Sequence, residues 1–512
     1  MAVLKDLFAA VKCGKCGLAT LDLNKSDKQF GLAVKLEVTC SVRDYRVARF
    51  SSPRTEGPAK ITPFEVNIRA LKSIQSIGKG VTALSDFCAG MNLSHRGLHH
   101  KTFQTHLRKV VEVCEGTAAA SEAASVSIIK DVYKDLSLEP RNIDVIFDGT
   151  WMTRGWSSHI GVGCIIEMYT GLLIDHVVLS NFCLGCAIGP KPSDEGYEDW
   201  VSEHECQKNI DCNAGRMEVE AALMMFKRSL SKHGLRYTTV LCDGDSRTFH
   251  ALKEENVYGF VPIEKKDCLN HVHKHMGTAL RSLVDRKKAQ GEALGGRGKL
   301  TQEKILKITN YYGYALRSHT HDVPEMKKAV QATLRHMSST DSAPDHSLCP
   351  DGRSSWCKYN RAIANGEEAP AHKDALPDSV RTALEPVFAR LSDDALLERC
   401  ADGKTQNSSE CLHSVIWTQA SKNNHASLLS VTRAVAEAVA VFNQGRRKTN
   451  ESVALGLGYT PGCNLLRRSL EKDQGRLNKS TTAFLSNNAD KKKGFSRKHK
   501  GNRSPNYSPG QV

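Results

Sequence analysis

No stretch of this chain holds the roughly 18 to 20 consecutive apolar residues that cross a bilayer as a helix, so no membrane partner is expected. The start of the chain also lacks the basic n-region, apolar core and cleavage site of a secretory signal. Lys5 and Asp6 stand among its first hydrophobes, and the protein is expected to stay inside the cell. Acid is missing from Lys491 onward, where seven positive charges (Lys491, Lys492, Lys493, Arg497, Lys498, Lys500 and Arg503) sit in a Gly/Ser/Asn/Pro-rich tail. That tail has too few hydrophobes to fold alone and is expected to be largely disordered. It reads equally as a solvated arm and as a nuclear-import or DNA-contacting segment.

What is present is ample. The 512 residues amount to roughly three domains at about 150 residues each, enough to bury a large core without disulfide staples. Net charge is +15, and +8 remains without the tail, which favours a polyanionic partner. The 17 cysteines are odd in number and several fall at metal-ligand spacing, so reduced thiols and zinc are expected rather than disulfides.

Residues 1–60 carry Cys13-x2-Cys16 and then Cys40, with Arg43 where a zinc ribbon would place its fourth ligand. This reads as a degenerate ribbon, either a partial metal site or a decayed knuckle. Residues 61–140 show apolar residues three and four apart and read as a helical domain that would bind DNA. From Arg141 the period changes to two. Asp144–Asp148 reads as a buried strand ending on a carboxylate and stopped by Gly149-Thr150, and His159–Glu167 with Gly171–Leu179 reads as a hairpin. An amphipathic helix follows over Arg216–His233, ended by Gly234, then a strand over Tyr237–Cys242 that runs into Asp243-Gly-Asp245. A short helix near His250–Glu255, a fifth strand over Tyr258–Ile263 and a long helix over Cys268–Lys287 complete the run.

The order strand, strand, strand, helix, strand, helix, strand, helix resembles the ribonuclease H-like fold, an α/β class with a mixed sheet flanked by helices. In such a sheet the ends of the first and fourth strands are neighbours, so Asp148 and Asp243 could meet and offer hard oxygen ligands to divalent cations. The core would span 141–289 and resume over 401–465 after a helical insertion at 290–400 that includes helical patterns over Thr301–Leu316 and Val380–Arg399. The basic tail would be 466–512. In the resumed core, Asn407-Ser408-Ser409 offers a helix cap, and Glu410, His413 and Trp417 share one face of the helix that follows.

Several stretches together resemble the Mutator-like transposases of the DDE superfamily, in particular the animal type. They are Asp148-Gly-Thr-Trp-Met-Thr-Arg-Gly-Trp156, Cys206-Gln-Lys-Asn209, Met217-Glu-Val-Glu220, Tyr237–Ser246, Cys268–Arg281 and Glu410-x2-His413-Ser-Val-Ile-Trp417, within about residues 60–465. The resemblance implies a catalytic triad of Asp148, Asp243 and Glu410 and a Cys268/His271 pair. It also implies DNA strand cleavage and transfer with two magnesium or manganese ions. Asp245 competes with Asp243, which is favoured because it directly follows the strand. The chain departs from the family pattern at Asp211–Ala214, where a glycine-rich run is usual. The implied partners are DNA, with transposon ends as its specific form, and further copies of the chain assembled on DNA. The implied compartment is the nucleus. Two other readings stand beside it: a catalytically inactive, zinc-containing DNA-binding protein derived from a transposase, and a ribonuclease H-like nuclease that cuts without transposing.

Cys183-x2-Cys186 with His204-x-Cys206 has the number and softness of a tetrahedral zinc site and reads equally as a loop with reduced thiols, with Cys212 as a spare ligand. Cys268 and His271 share one face of a helix start and read as structural groups beside the acidic site. Trp151 and Trp156 could stack on a base, though packing suits them better. Lys491, Lys492, Lys493, Arg497 and Lys498 are the other nucleic-acid candidates.

Overall fold

The computed structural model describes residues 2–95, 97–153, 157–243, 246–372, 375–422 and 426–493, with side chains up to residue 481. Helix α1 (Ala2–Ala9) precedes a three-stranded antiparallel sheet of β1 (Leu21–Phe30), β2 (Ala33–Cys40) and β3 (Arg46–Phe50) in the order β1-β2-β3. Three helices follow: α2 (Glu65–Ser76), α3 (Val81–Gly90) and α4 (His100–Asp135). Helix α4 buries Phe103, Leu107, Val110, Cys114 and Ala118, a stripe spaced three and four apart that faces the core.

The second sheet holds β4 (Asn142–Trp151), β5 (Ile160–Glu167), β6 (Leu173–Ser180), β7 (Arg236–Cys242) and β8 (Glu264–Asp267) in the order β6-β5-β4-β7-β8. Strands β4, β5 and β6 are antiparallel neighbours, while β4–β7 and β7–β8 are parallel. Their connections carry α5 (Leu184–Ile188), α6 (Tyr197–Glu203), α7 (Ala214–His233) and α8 (Ser246–Glu254), and α9 (Leu269–Ala289) follows β8. The chain is a mixed α/β protein. Asn213 caps α7 by accepting from the Arg216 amide, and Gly234 closes it at φ +65°, a conformation suited to glycine.

Beyond α9 come α10 (Gln302–Ser318), α11 (Val323–Ser338), α12 (Lys358–Asn365), α13 (Asp378–Leu391) and α14 (Asp394–Cys400). With the exception of α12, these helices share with α9 a hydrophobic cluster separate from those of the sheet. The chain returns through α15 (Asn407–Gln419), α16 (Leu428–Gln444), α17 (Arg446–Gly456) and α18 (Cys463–Lys493). Helix α16 is buried along Val431 and Val435 to Val441 because it lies between α4 and the sheet.

The strands sort their side chains by parity. Ile143, Val145 and Phe147 face the cluster built on α7, whereas Ile146 faces the one shared by α4, α15 and α16.

Five local expectations change. Strand β4 does not stop at Gly149-Thr150 but continues to Trp151, paired with Gly161. Gly149 faces Gly163 across the ladder, and the Trp151 ring lies 3.0 Å from where a Cβ on Gly149 would stand, so this glycine makes room inside the sheet instead of ending it. The fifth strand is Glu264–Asp267, not Tyr258–Ile263. The Tyr258 hydroxyl is anchored 2.7 Å from Ser229 Oγ and accepts from the Tyr237 amide, Gly259 takes φ +62° and Phe260 is fully exposed, so this stretch turns. Val380–Arg399 is two helices, because Asp393 caps α14 by accepting from the Leu396 amide. Asn407-Ser-Ser does not cap α15; Gln406 takes that position. Helix α18 carries regular structure into the expected disordered tail, where Arg467 and Arg468 pair with Glu471 and Asp473 accepts from the Arg446 and Arg447 amides.

Candidate acidic site and Cys/His clusters

The parallel register pairs Ile146 of β4 with Leu241 of β7, so two residues further Asp148 and Asp243 stand level on adjacent strands. The two are electrostatically coupled. Burial above all, then Glu218 and Asp243, push the Asp148 carboxyl up to about 8, with His271 as the opposing charge. Glu218 comes from the first turns of α7, and its Cγ lies 3.3 Å from where a Cβ on Gly149 would be. Three carboxylates thus converge from β4, α7 and the end of β7. Asp245 and Trp156 lie outside the described residues.

Helix α9 supplies the counter-charge. Cys268 is its N-cap residue, and His271 in its first turn places Nδ1 3.5 Å from Asp243 Oδ1. The hydrogen bond with Cys268 first, and Asp243 in addition, raise His271 to about 9, which makes it an imidazolium at neutral pH. Burial opposes ionisation of the Cys268 thiol, but His271 outweighs it and holds the thiol below its usual value.

Gln406 ties this corner together. Its Oε1 is 2.9 Å from His271 Nδ1, its Nε2 donates to the Phe147 carbonyl at 3.1 Å, and its amide donates to Cys268 Sγ at 3.4 Å. The bonds join β4, α9 and α15 at the residue before Asp148. Helix α15 then runs along β4. His413 Nδ1 lies 3.7 Å from Asp148 Oδ2, and Trp417 Nε1 donates to Thr150 Oγ1 at 2.9 Å. Burial, with Lys422 adding to it, lowers His413 to about 3, so its contact with Asp148 is that of a neutral imidazole and not an ion pair. Glu410 is exposed and stands one turn before His413 on the same face, about 4.5 Å back along the axis. Sequence reasoning missed the roles of Glu218 and Gln406. Glu218 was visible only as part of Met217-Glu-Val-Glu220, and Gln406 gave no signal beyond preceding the supposed cap.

Trp151 is half-buried and donates from Nε1 to the Ala214 carbonyl at 3.2 Å, with its ring against Gly149 and Gly161. That is packing. Lys491, Lys492 and Lys493 close α18 without described side chains, and Arg497 and Lys498 lie outside the described residues.

The structure gathers Cys183, Cys186, His204 and Cys206, whose ligand atoms all lie within 4.8 Å of one another. His204 Nε2 is 3.3 Å from both Cys183 Sγ and Cys186 Sγ, and Cys186 Sγ is 3.5 Å from Cys206 Sγ. A tetrahedral zinc centre with thiolate and imidazole ligands has edges of about 3.3 to 3.8 Å, so this donor set fits zinc. Gly185 is required there, since a Cβ on it would stand 2.4 Å from His204 Cε1, and Trp200 stacks on the same ring at 4.3 Å. Cys212 is not among these ligands; its carbonyl accepts from Asn181.

Cys13, Cys16 and Cys40 also converge. Beside them the Thr20 hydroxyl is 3.2 Å from both Cys16 Sγ and Cys40 Sγ, which are 3.8 Å apart.

Among the described residues, no helix is long and apolar enough to cross a membrane. Residues 1–357 match the family model described as Mutator-like transposase. No curated protein matches the chain.

Proposed function

We propose, from the premise that this chain belongs to the Mutator-like transposase family, that it cleaves and joins DNA strands through a ribonuclease H-like core of the DDE kind. The strand order β6-β5-β4-β7-β8, a meander extended by two parallel strands, supports that core. Its parts would be residues 141–289 and 401–465, divided by the helices of 290–400.

The observation that carries the reading is the convergence of Glu218 and Asp243 on Asp148, with His271 beside Asp243 as the counter-charge. Their oxygens suit hard divalent cations, and the surplus negative charge calls for them. Asp148 and Asp243, with Glu410 as third ligand, would hold two magnesium or manganese ions, which supply charge neutralisation at the attacking and leaving oxygens of a phosphodiester. The chain's own groups do the positioning. Gln406 fixes the Phe147 carbonyl and the His271 ring, His413 buttresses Asp148, and the His271 charge can attract a phosphate oxygen. Lysines and arginines of the helical segment 61–140 and of the tail would grip the DNA backbone at transposon ends, with several copies of the chain assembled there in the nucleus.

The test is a strand-transfer assay on DNA carrying the element's own ends, with and without magnesium. Asp148→Asn should abolish transfer while DNA affinity and the unfolding transition stay close to wild type. Undiminished cleavage by that variant would remove Asp148 from this role. DNA binding without cleavage by the wild type would favour a non-catalytic descendant of a transposase, and cleavage without joining a nuclease.

A further inference from the structure

A second four-ligand cluster lies far along the chain, in a segment without ribbon-like cysteine spacing. His336 is in the last turn of α11, Cys357 is the N-cap residue of α12, and His346 and Cys349 lie in the loop between. The four ligand atoms lie within 4.8 Å of one another. We propose that His336, His346, Cys349 and Cys357 form a structural zinc site that pins the loop joining α11 to α12.

The N–N and N–S distances match such a site. His336 Nδ1 and His346 Nδ1 are 3.3 Å apart. Cys349 Sγ is 3.7 Å from His336 Nδ1 and 3.8 Å from His346 Nδ1, and Cys357 Sγ is 3.7 Å and 3.5 Å from the same two atoms. Zinc bonds of about 2.0 to 2.1 Å to nitrogen and 2.3 Å to sulfur give tetrahedral edges of about 3.3, 3.5 and 3.8 Å for N–N, N–S and S–S pairs. Cys349, Cys357 and His346 are buried, and with four protein ligands no corner is left for water.

A chain of hydrogen bonds behind the cluster selects the tautomer that a metal needs. The Asp341 carboxylate, an acceptor only, lies 2.7 Å from His372 Nδ1, so that atom carries the proton, and in the neutral ring His372 Nε2 accepts. His346 Nε2, 2.8 Å from His372 Nε2, is therefore a donor, and the lone pair of the neutral His346 ring sits on Nδ1, facing the two sulfurs. Ser339 Oγ, 3.1 Å from His346 Nε2 and 3.0 Å from His372 Nε2, completes this outer shell. Metal-ligating histidines are held in this manner, with the remote nitrogen donating into a network that ends on a carboxylate. Tyr359 stacks on His346 at 4.3 Å and Trp356 packs edge-on against His336 at 4.9 Å, which holds both rings in place.

The chemistry balances without a redox step. Two thiols lose their protons to solvent as zinc binds, and two thiolates with two neutral imidazoles leave the centre uncharged. The loop has a need for it: residues 339–357 hold no helix or strand, a length at which an ordered connection requires its own staple.

The measurement is zinc content per folded full-length chain, with cobalt substitution to report tetrahedral thiolate ligation. Cys349→Ser with Cys357→Ser should lower the content by one zinc per chain relative to wild type, and Cys183→Ser with Cys186→Ser should leave that zinc in place. Asp341→Asn, at an exposed position, should keep the stoichiometry while weakening zinc about 10- to 100-fold in chelator competition. This arm holds even where the cysteine variant fails to fold. Wild-type zinc content in the Cys349/Cys357 variant, or unchanged chelator resistance in Asp341→Asn, would overturn the site.

Discussion

At the scale of single residues, Gln406 bears more than its neighbours suggest. Replacing it by leucine keeps the bulk but removes the buried bond to the Phe147 carbonyl, at a cost of about 1 to 3 kcal/mol, and leaves His271 Nδ1 with Asp243 alone. Gln406→Leu should lower the denaturant midpoint and depress strand transfer, while DNA affinity changes little. Asp175 gives the pH dependence. Burial alone would raise its carboxyl, but Arg228 and Lys232, each 2.7 Å away, hold it below the ordinary 3.8. A carboxyl depressed in the folded state stabilises the fold in full above about pH 4 and loses that contribution as pH falls through the lower folded-state value. Asp175→Asn should therefore be less stable at neutral pH and show a shallower acid limb, as read from unfolding midpoints between about pH 2 and 7. Asp148 and Asp243 were legible in the sequence as carboxylates that follow a β-branched run and precede a glycine, although at Asp148 that glycine lies inside the strand. Glu218 was not, since a glutamate near a helix start is favoured by the helix dipole whatever else it does.

Among the elements, α15 and α16 close the structure around one buried ionic knot. Arg433 is fully buried and donates to the Gln75 carbonyl, to Gln419 and to Glu437, which also accepts from Lys72 at 2.7 Å. Removing one partner leaves an uncompensated buried charge, so Glu437→Gln should destabilise by about 3 to 5 kcal/mol in chemical denaturation. Sequence periodicity found the helices that bury a stripe, α7 and α10 among them, and found β5, β6 and β7 through their β-branched runs. It misjudged β8 because Glu264-Lys-Lys-Asp267 is a charged edge strand with no apolar signature, a composition that edges favour. The His336 cluster escaped because its ligands are spaced by ten, three and eight positions, and only the packing of α11 against the following loop brings them together.

For the molecule as a whole, the net charge of +15 sets the character of DNA binding. Each phosphate neutralised contributes about −0.9 to the slope of log affinity against log salt. Deleting residues 491–512, which hold seven of the positive charges, should make that slope shallower and weaken binding to all sequences alike. Filter binding over a salt series would measure it. An unchanged slope would mean that the tail does not touch DNA and that the grip lies in the folded parts.

The joining of β4 to α15 through Gln406 also has a bearing on synthesis. A ribosome delivers Asp148 and Asp243 more than 150 residues before Gln406, His413 and α16 emerge. A polypeptide released early would carry both aspartates on a sheet whose apolar face has α4 but lacks α15 and α16, and would expose that surface to aggregation or proteolysis. Completion of translation would thus decide whether this acidic corner is ever assembled.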